Sequence, residues 1–247
     1  MSIQNNILKG LTIITTHPTS NFDILIDGLA NAGANVYHQA LIKIEGINIK
    51  QNTFEDKYDR IVFTSKNGIK HFFDKNNLPK EINISVLGSA TANQLECYGL
   101  KANFIGKAHN SIEFADELKN IIIKDEKILL IVGESADHNI ETMLAKYAKI
   151  TRINIYKTIF ADNINDNIKE LISKDNYNLI TITSPSAFKS LTRLIDPKFI
   201  KTLKIGSIGS TTTKYIQQFQ VNPLITSNAY SYKGLFDSIL QYFAQKG

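Results

Sequence analysis

The chain has 247 residues, 43% hydrophobic and 21% charged, which is enough apolar content and length for one large globular domain or two of ordinary size. Its net charge of +5 and pI near 9.0 come from basic residues scattered along the chain rather than gathered in a stripe, which favours a small anionic ligand over nucleic acid. No apolar run reaches the ~18 residues of a membrane span, the opening MSIQNNILKG lacks the apolar core of a signal peptide, and a cytoplasmic protein is expected. The single cysteine, Cys97, excludes an internal disulfide, and the histidines (17, 38, 71, 109, 138) show no HxxH or HExxH spacing, so no metal is expected.

Taken in order, short apolar runs alternate with helical patterns. Strands are expected at Leu11–Thr15, Val36–Ile42, Arg60–Thr64, Ile84–Leu87, Lys127–Val132, Ile150–Tyr156, Leu179–Thr183 and Lys204–Ile208. Helices are expected over Asp23–Ala32, Lys66–Asp74, Ala90–Tyr98, Ile112–Ile122, Ile140–Tyr147, Pro185–Leu194, Thr211–Phe219 and Tyr232–Phe243. This alternation reads as βα units on parallel sheets. The Asn-, Ile- and Lys-rich stretches are read as compositional bias.

Two segments match. YDRIVFTSKNGIKHFF and then ISVLGSATANQLECYGL align with YNLITITSPSAFKSLT and then IGSIGSTTTKYIQQF, with a weaker echo joining the stretch from Leu11 to the one from Ile128. The order is A, B, A′, B′, so two similar α/β domains are expected; the repeat alone leaves open whether A folds with B or with B′.

The matched segments put four small polar turns where strands hand over to helices: TSKN at 64–67, GSAT at 88–91, TSPS at 183–186 and GSTT at 209–212. Ligands of open parallel sheets bind beyond the carboxyl ends of the strands, and the first N–H groups of a helix favour an anion. Ser and Thr are also ordinary N-caps, worth ~1 kcal/mol each. None of the turns is a Walker loop, no GxGxxG, GxSxG or triad order is present, and Tyr156, at the end of INIYKT's strand, is a candidate donor or acid. Lys204 opens the strand leading to Gly209 and so starts at the opposite strand end from the turn.

Together these segments resemble the uroporphyrinogen-III synthase family. TTHPTSNFDILIDGLANAGANVYHQALIKI resembles its opening strand, turn and helix; IVFTSKNGIKHFF, VLGSATANQLECYGL, ITRINIYKT, ITITSPSAFKSL and IGSIGSTTTKYI resemble five further family segments in order. The resemblance implies two flavodoxin-like parallel-sheet domains with helices on both faces, joined by a two-stranded linker, with the active site in the cleft between them. Residues 1–37 with 158–247 would form one domain and 41–155 the other, with linkers near 36–44 and 150–160. It also implies the family's reaction: cyclisation of linear hydroxymethylbilane to uroporphyrinogen III, with loss of water and inversion of ring D, without metal or organic cofactor. Such a protein would be a monomeric lyase, receiving its substrate by transient hand-over from hydroxymethylbilane synthase.

Carried over by motif, Tyr156 is the expected catalytic residue, and Ser65, Lys66, Ser89, Thr91, Ser184, Ser186, Lys204, Gly209, Ser210, Thr211 and Thr212 are expected to bind substrate. The chain departs from the family pattern at His17, Val132 and Asp137, where arginines are common, so His17, Lys66 or His138 is left to supply positive charge. The other reading of the same turns is a non-enzymatic two-domain module that binds a small polyanion.

Overall fold

The computed structural model describes residues 6–18, 23–49, 57–78, 82–108 and 110–246; residues 19–22 of the opening motif and His109 lie outside them. In chain order the elements are β1 (Thr12–Thr15), α1 (Ile24–Asn31), β2 (Asn35–His38), β3 (Ile42–Gly46), β4 (Arg60–Phe63), α2 (Lys66–Phe73), β5 (Asn83–Leu87), α3 (Ser89–Glu96), β6 (Phe104–Gly106), α4 (Ser111–Lys119) and β7 (Glu126–Gly133). There follow α5 (Asn139–Leu144), β8 (Ala148–Phe160), α6 (Asp166–Ser173), β9 (Leu179–Ile182), α7 (Pro185–Leu194), a 3-10 turn (Pro197–Thr202), β10 (Ile205–Ser207), α8 (Ser210–Gln217), β11 (Ile225–Thr226) and α9 (Tyr232–Ala244).

The chain divides into two units, residues 1–43 with 159–247 and residues 44–158. The first carries a five-stranded sheet in the order β11-β10-β9-β1-β2, and the second a six-stranded sheet in the order β3-β8-β7-β4-β5-β6. The pairings described within both sheets are parallel. The matched segments take equivalent places: β9 and β10 lie beside β1 as β4 and β5 lie beside β7. Chain order reverses between β1 and β9 in one sheet and between β7 and β4 in the other. Such reversal points are where open α/β sheets leave a crevice for ligands.

Each sheet is buried on both faces, which explains its near-continuous apolar strands. Along β4 and β7, Ile61, Phe63, Leu129 and Ile131 pack on one face with Ile69, Phe72 and Leu95. Val62, Ile128, Leu130 and Val132 pack on the other with Phe114, Leu118 and Leu144. In the first unit Ile14, Ile180 and Ile182 face Phe188 and Ile216, and Ile13 and Leu179 face Leu25, Leu29 and Leu235.

Three differences from the sequence expectation have local causes. The expected strand Val36–Ile42 is two strands, because β1 ends at Thr15 and the register with it stops at His38, beyond which only the Gln39 and Leu41 N–H groups bond the Thr15 and Thr16 carbonyls. The chain leaves at Gln39, whose side chain donates to the Asn163 carbonyl at 2.8 Å and accepts the Asn165 N–H at 2.6 Å. Helix α6 was not expected, since DNIKELIS buries only Ile168 and Ile172, a narrow i, i+4 stripe in an Asn/Asp-rich stretch. The short edge strands β6 and β11 were not expected either.

At the amino edge of the second sheet, Arg60 and Glu126 are each 6% exposed and joined Nε to Oε1 at 2.8 Å. Arg60 Nη1 also donates to Ser85 Oγ at 2.9 Å, and Glu126 Oε2 accepts the Ile123 N–H at 2.8 Å. Removing one partner leaves the other charge buried and unpaired. Glu126→Ala is expected to cost about 3–5 kcal/mol, measured by urea unfolding; a cost below about 1 kcal/mol would show that the guanidinium finds water or another partner.

Candidate active site

The four turns fall at the carboxyl edges of the sheets, two in each unit, and they are of two kinds. In the first kind a serine caps the helix. Ser65 and Ser184 have nearly the same backbone (φ −157°, ψ 156° and φ −162°, ψ 157°). Each accepts, at 3.1 Å, the N–H three residues on, from Gly68 and Ala187 respectively. In the second kind the cap is glycine, Gly88 before α3 and Gly209 before α8, and no side chain caps the helix. The first N–H groups there, at Ser89 and at Ser210 and Thr211, lack a side-chain partner among the described residues and can meet an anion.

The sequence treats these four turns alike, and the structure separates them. Ser89, Ser210 and Thr211 are exposed in the first turns of α3 and α8, while Thr91 and Thr212 are 5% and 3% exposed and pack inward. Ser186 is half-buried in the first turn of α7, and Lys66 is exposed at the start of α2. Lys204 is not brought to these turns. It sits before the amino end of β10, ion-paired to Asp175 at 2.7 Å and donating to the Tyr177 carbonyl at 3.1 Å.

Gly88 has φ +78°, a conformation that disfavours any residue with a Cβ. Gly209 has extended backbone and is needed for another reason: a Cβ there would stand 2.4 Å from the ring of Tyr230. The Tyr230 hydroxyl lies 2.6 Å from Ser210 Oγ, and Tyr230 itself has φ +36°. Behind this turn the hydroxyls of Ser207, Thr213 and Thr226 form a chain, so Thr213 ties α8 to the strand edge.

In the second unit the crevice at the order reversal holds Tyr156. Gly133 ends β7 opposite Tyr156, and a Cβ on Gly133 would lie 2.6 Å from the Tyr156 ring. The missing side chain leaves room for the phenol. Its hydroxyl is 3.0 Å from Ser65 Oγ, and the His71 ring stacks on it at 5.9 Å between centroids. Burial lowers the pKa of His71, so the imidazole is neutral at pH 7. Arg152 fixes the loop after Gly133: it donates to the carbonyls of Ala136 and Asp137 at 2.8 Å each and to Glu141 Oε1 at 2.6 Å.

The equivalent crevice of the first unit is filled. His17 is fully buried, its Nε2 2.7 Å from Asp23 Oδ2, its ring 4.6 Å from that of Tyr232 and 5.5 Å from that of His38. Asp23 Oδ1 also caps α1, accepting the N–H groups of Leu25 and Ile26 at 3.1 Å each. Tyr232 hydrogen-bonds Thr183; burial, then the Asp23 charge, raise its pKa, against that bond. Burial, then the charge of His17, lower the pKa of His38. Of the three residues left to replace the arginines, His17 is committed to Asp23, His138 is exposed with Nδ1 3.0 Å from Glu141, and Lys66 is exposed on a turn.

Tyr230, His71 and Arg152 were missed from the sequence. Gly209 marks a place where some other residue needs the space, without saying that it is Tyr230, and no sequence signal marks His71 or Arg152.

A family profile described as uroporphyrinogen-III synthase HemD matches residues 23–237. The porphyrin biosynthesis protein HemD of Ruminiclostridium josui is 23% identical over 247 residues, covering 95% of this chain and 49% of that protein. The chain thus spans about half the length of the curated relative it matches. A mutant uroporphyrinogen III synthase from Thermus thermophilus has a similar fold, with a TM-score of 0.69 at 11% identity over 96% of this chain and 100% of that one. The uroporphyrinogen-III synthetase of Helicobacter pylori gives 0.65 at 17% identity over 94% and 99%. No helix among the described residues is long and apolar enough to cross a membrane.

Burial works against ionisation of Asp23, but the Ile26 N–H, His17 and the Leu25 N–H outweigh it, and its pKa is lowered. A depressed carboxylate stabilises the fold above its ordinary pKa of ~3.9, and that contribution is lost as pH falls through the folded value. Asp23→Asn, which keeps a capping oxygen, is expected to cost about 1.5–3 kcal/mol at about pH 7. The gap to the wild type should narrow below about pH 4. Urea unfolding from about pH 3 to about pH 7 checks this, and a gap that does not change with pH would mean Asp23 acts only as a cap.

Proposed function

Because the chain belongs to the uroporphyrinogen-III synthase (HemD) family, we propose that it closes linear hydroxymethylbilane to uroporphyrinogen III, losing water and inverting ring D. The family match over residues 23–237 carries this reading, and the geometry of the turns supports it. The substrate has eight carboxylates and no phosphate. The glycine-capped starts of α3 and α8, with bare N–H groups and exposed Ser89, Ser210 and Thr211, suit carboxylates better than a tightly wrapped phosphate. Lys66 adds an exposed cation beside the Ser65 turn.

Chemically the reaction asks for one assisted departure and then for control of shape. The hydroxyl of the terminal hydroxymethyl group leaves as water, and the azafulvene left behind is attacked by a ring carbon. Tyr156, half-buried at the crevice of the second unit, is the group that gives the proton in this reading. The remaining task is to hold the end rings so that closure follows inversion instead of preceding it, which is a matter of positioning. This division of labour explains why the turns carry many weak donors and no catalytic triad. The protein is then a cytoplasmic lyase acting as a monomer on a small molecule handed over from hydroxymethylbilane synthase, and its reaction needs no cofactor.

The test is to supply hydroxymethylbilane generated in situ, oxidise the product and resolve the porphyrin isomers. Isomer III is expected in excess; isomer I alone, at the uncatalysed rate, would favour the non-catalytic binding module. Tyr156→Phe is expected to slow turnover about 100-fold or more while changing product affinity less than about threefold, since a general acid acts in the transition state. Equal effects on both would remove the acid role.

A further inference from the structure

The two serine-capped turns provide an internal comparison. Ser65 and Ser184 have the same backbone and accept the equivalent N–H at the same distance, yet among the described residues only Ser65 of the two has a phenol on its oxygen. A serine hydroxyl has one proton and two acceptor positions. In Ser65 one acceptor position takes the Gly68 N–H, and the Tyr156 oxygen lies 3.0 Å away. Two arrangements remain: Ser65 donates to Tyr156, or Tyr156 donates to Ser65. Only the first leaves the phenol proton free to be given away.

We propose that Ser65 is a positioning residue that donates its O–H to the Tyr156 oxygen, so that Tyr156 presents its own proton to the departing hydroxyl and the phenolate left behind stays hydrogen-bonded. The inference rests on the synthase reading and changes what the Ser65 turn is for: it serves the acid and not a substrate carboxylate. In the step itself the Tyr156 O–H bond breaks and its proton goes to the substrate hydroxyl, which leaves as water with the electron pair of the C–O bond. The pyrrole nitrogen's electrons make good the deficit at carbon. The phenolate recovers a proton when the newly joined ring loses one to become aromatic again. During this interval the Ser65 hydroxyl faces a full negative charge. The positive end of α2 also lies behind Ser65, because the Gly68 N–H polarises its oxygen.

The rest of the surroundings keeps the phenol in place. Gly133 leaves room for the ring, and His71 stacks against it. The charged groups that act on His71 are Asp74, Lys70 and Lys75; Lys157 follows Tyr156 and Glu134 bonds its carbonyl through the backbone, while Arg152 with Glu141 holds the loop on the β7 side. The lowered pKa of His71 keeps it neutral through the alkaline range in which a phenol titrates.

The experiment incorporates 3-fluorotyrosine, assigns the Tyr156 resonance by its loss in Tyr156→Phe, and follows its fluorine shift with pH. Ser65→Ala is expected to move the midpoint of that titration to higher pH, and Ser184→Ala to leave it in place. Ser65→Gly, which keeps a competent cap, serves if the alanine variant does not fold. In turnover, removing the hydroxyl should lower kcat roughly 10- to 100-fold, the worth of one hydrogen bond to a charged oxygen, with KM within about threefold; Ser65→Thr should restore most of the loss. An unmoved midpoint, or a raised KM with unchanged kcat, overturns the proposal and makes Ser65 a cap or a substrate contact. Should the wild type yield only isomer I, the synthase reading fails, while the fluorine titration still decides whether Ser65 donates to Tyr156.

Discussion

Parallel pairing forces each strand to hand over to its helix at the same edge of the sheet. Every turn that follows a strand therefore collects there, together with the unpaired N–H groups of the next helix. The carboxyl edges of both sheets are rows of positive helix ends that must be satisfied by caps, by neighbours or by a ligand. The chain caps some of these ends, covers one with a neighbour and leaves others without a side-chain cap. Ser65 and Ser184 cap their helices, Tyr230 covers the Gly209 turn by bonding Ser210, and the glycine-capped starts of α3 and α8 have no side-chain cap. The capacity to meet an anion is thus a property of the topology, and the choice of cap decides where it stays available.

The same constraint explains Tyr156. The phenol is held by residues that are distant in sequence: Ser65 after β4, Gly133 at the end of β7 and His71 on α2. They meet because β4 and β7 are neighbours at the point where chain order reverses. Arg152, on the strand that carries Tyr156, holds the backbone beyond Gly133 through carbonyl contacts. A loose loop there would let the ring move, and the acid role proposed for Tyr156 depends on its proton being aimed.

Much of this architecture can be read from the sequence, because buried parallel strands announce themselves as apolar runs. ILLIV at 128–132 and LITI at 179–182 leave little choice, and the Ser and Gly turns follow them at fixed spacing. Elements that bury little surface were not legible: β11 has two residues, and α6 fully buries only Ile168 and Ile172. In the site, the turn residues were legible because they repeat. Their partners were not, since nothing local marks Tyr230 as the neighbour of Gly209 or His71 as the neighbour of Tyr156. Lys204 was carried over by motif although it starts at the opposite strand end from the turn, and there it belongs to Asp175 and Tyr177 at the other edge.

The repeat therefore conveys scaffold more than chemistry. Both units have the same strand neighbours around the point of reversal and the same serine cap beside it, but different residues occupy the space. In one, His17 and Asp23 close it with a buried pair and seal it with Tyr232 and His38. In the other, a glycine leaves the space open and a half-buried tyrosine reaches into it. A buried hydrogen-bonded pair is expensive to open, because either partner alone would be stranded without water. A phenol on a serine can exchange its partner at little cost. The first crevice is suited to hold its shape, and the second to the proton transfer proposed for Tyr156.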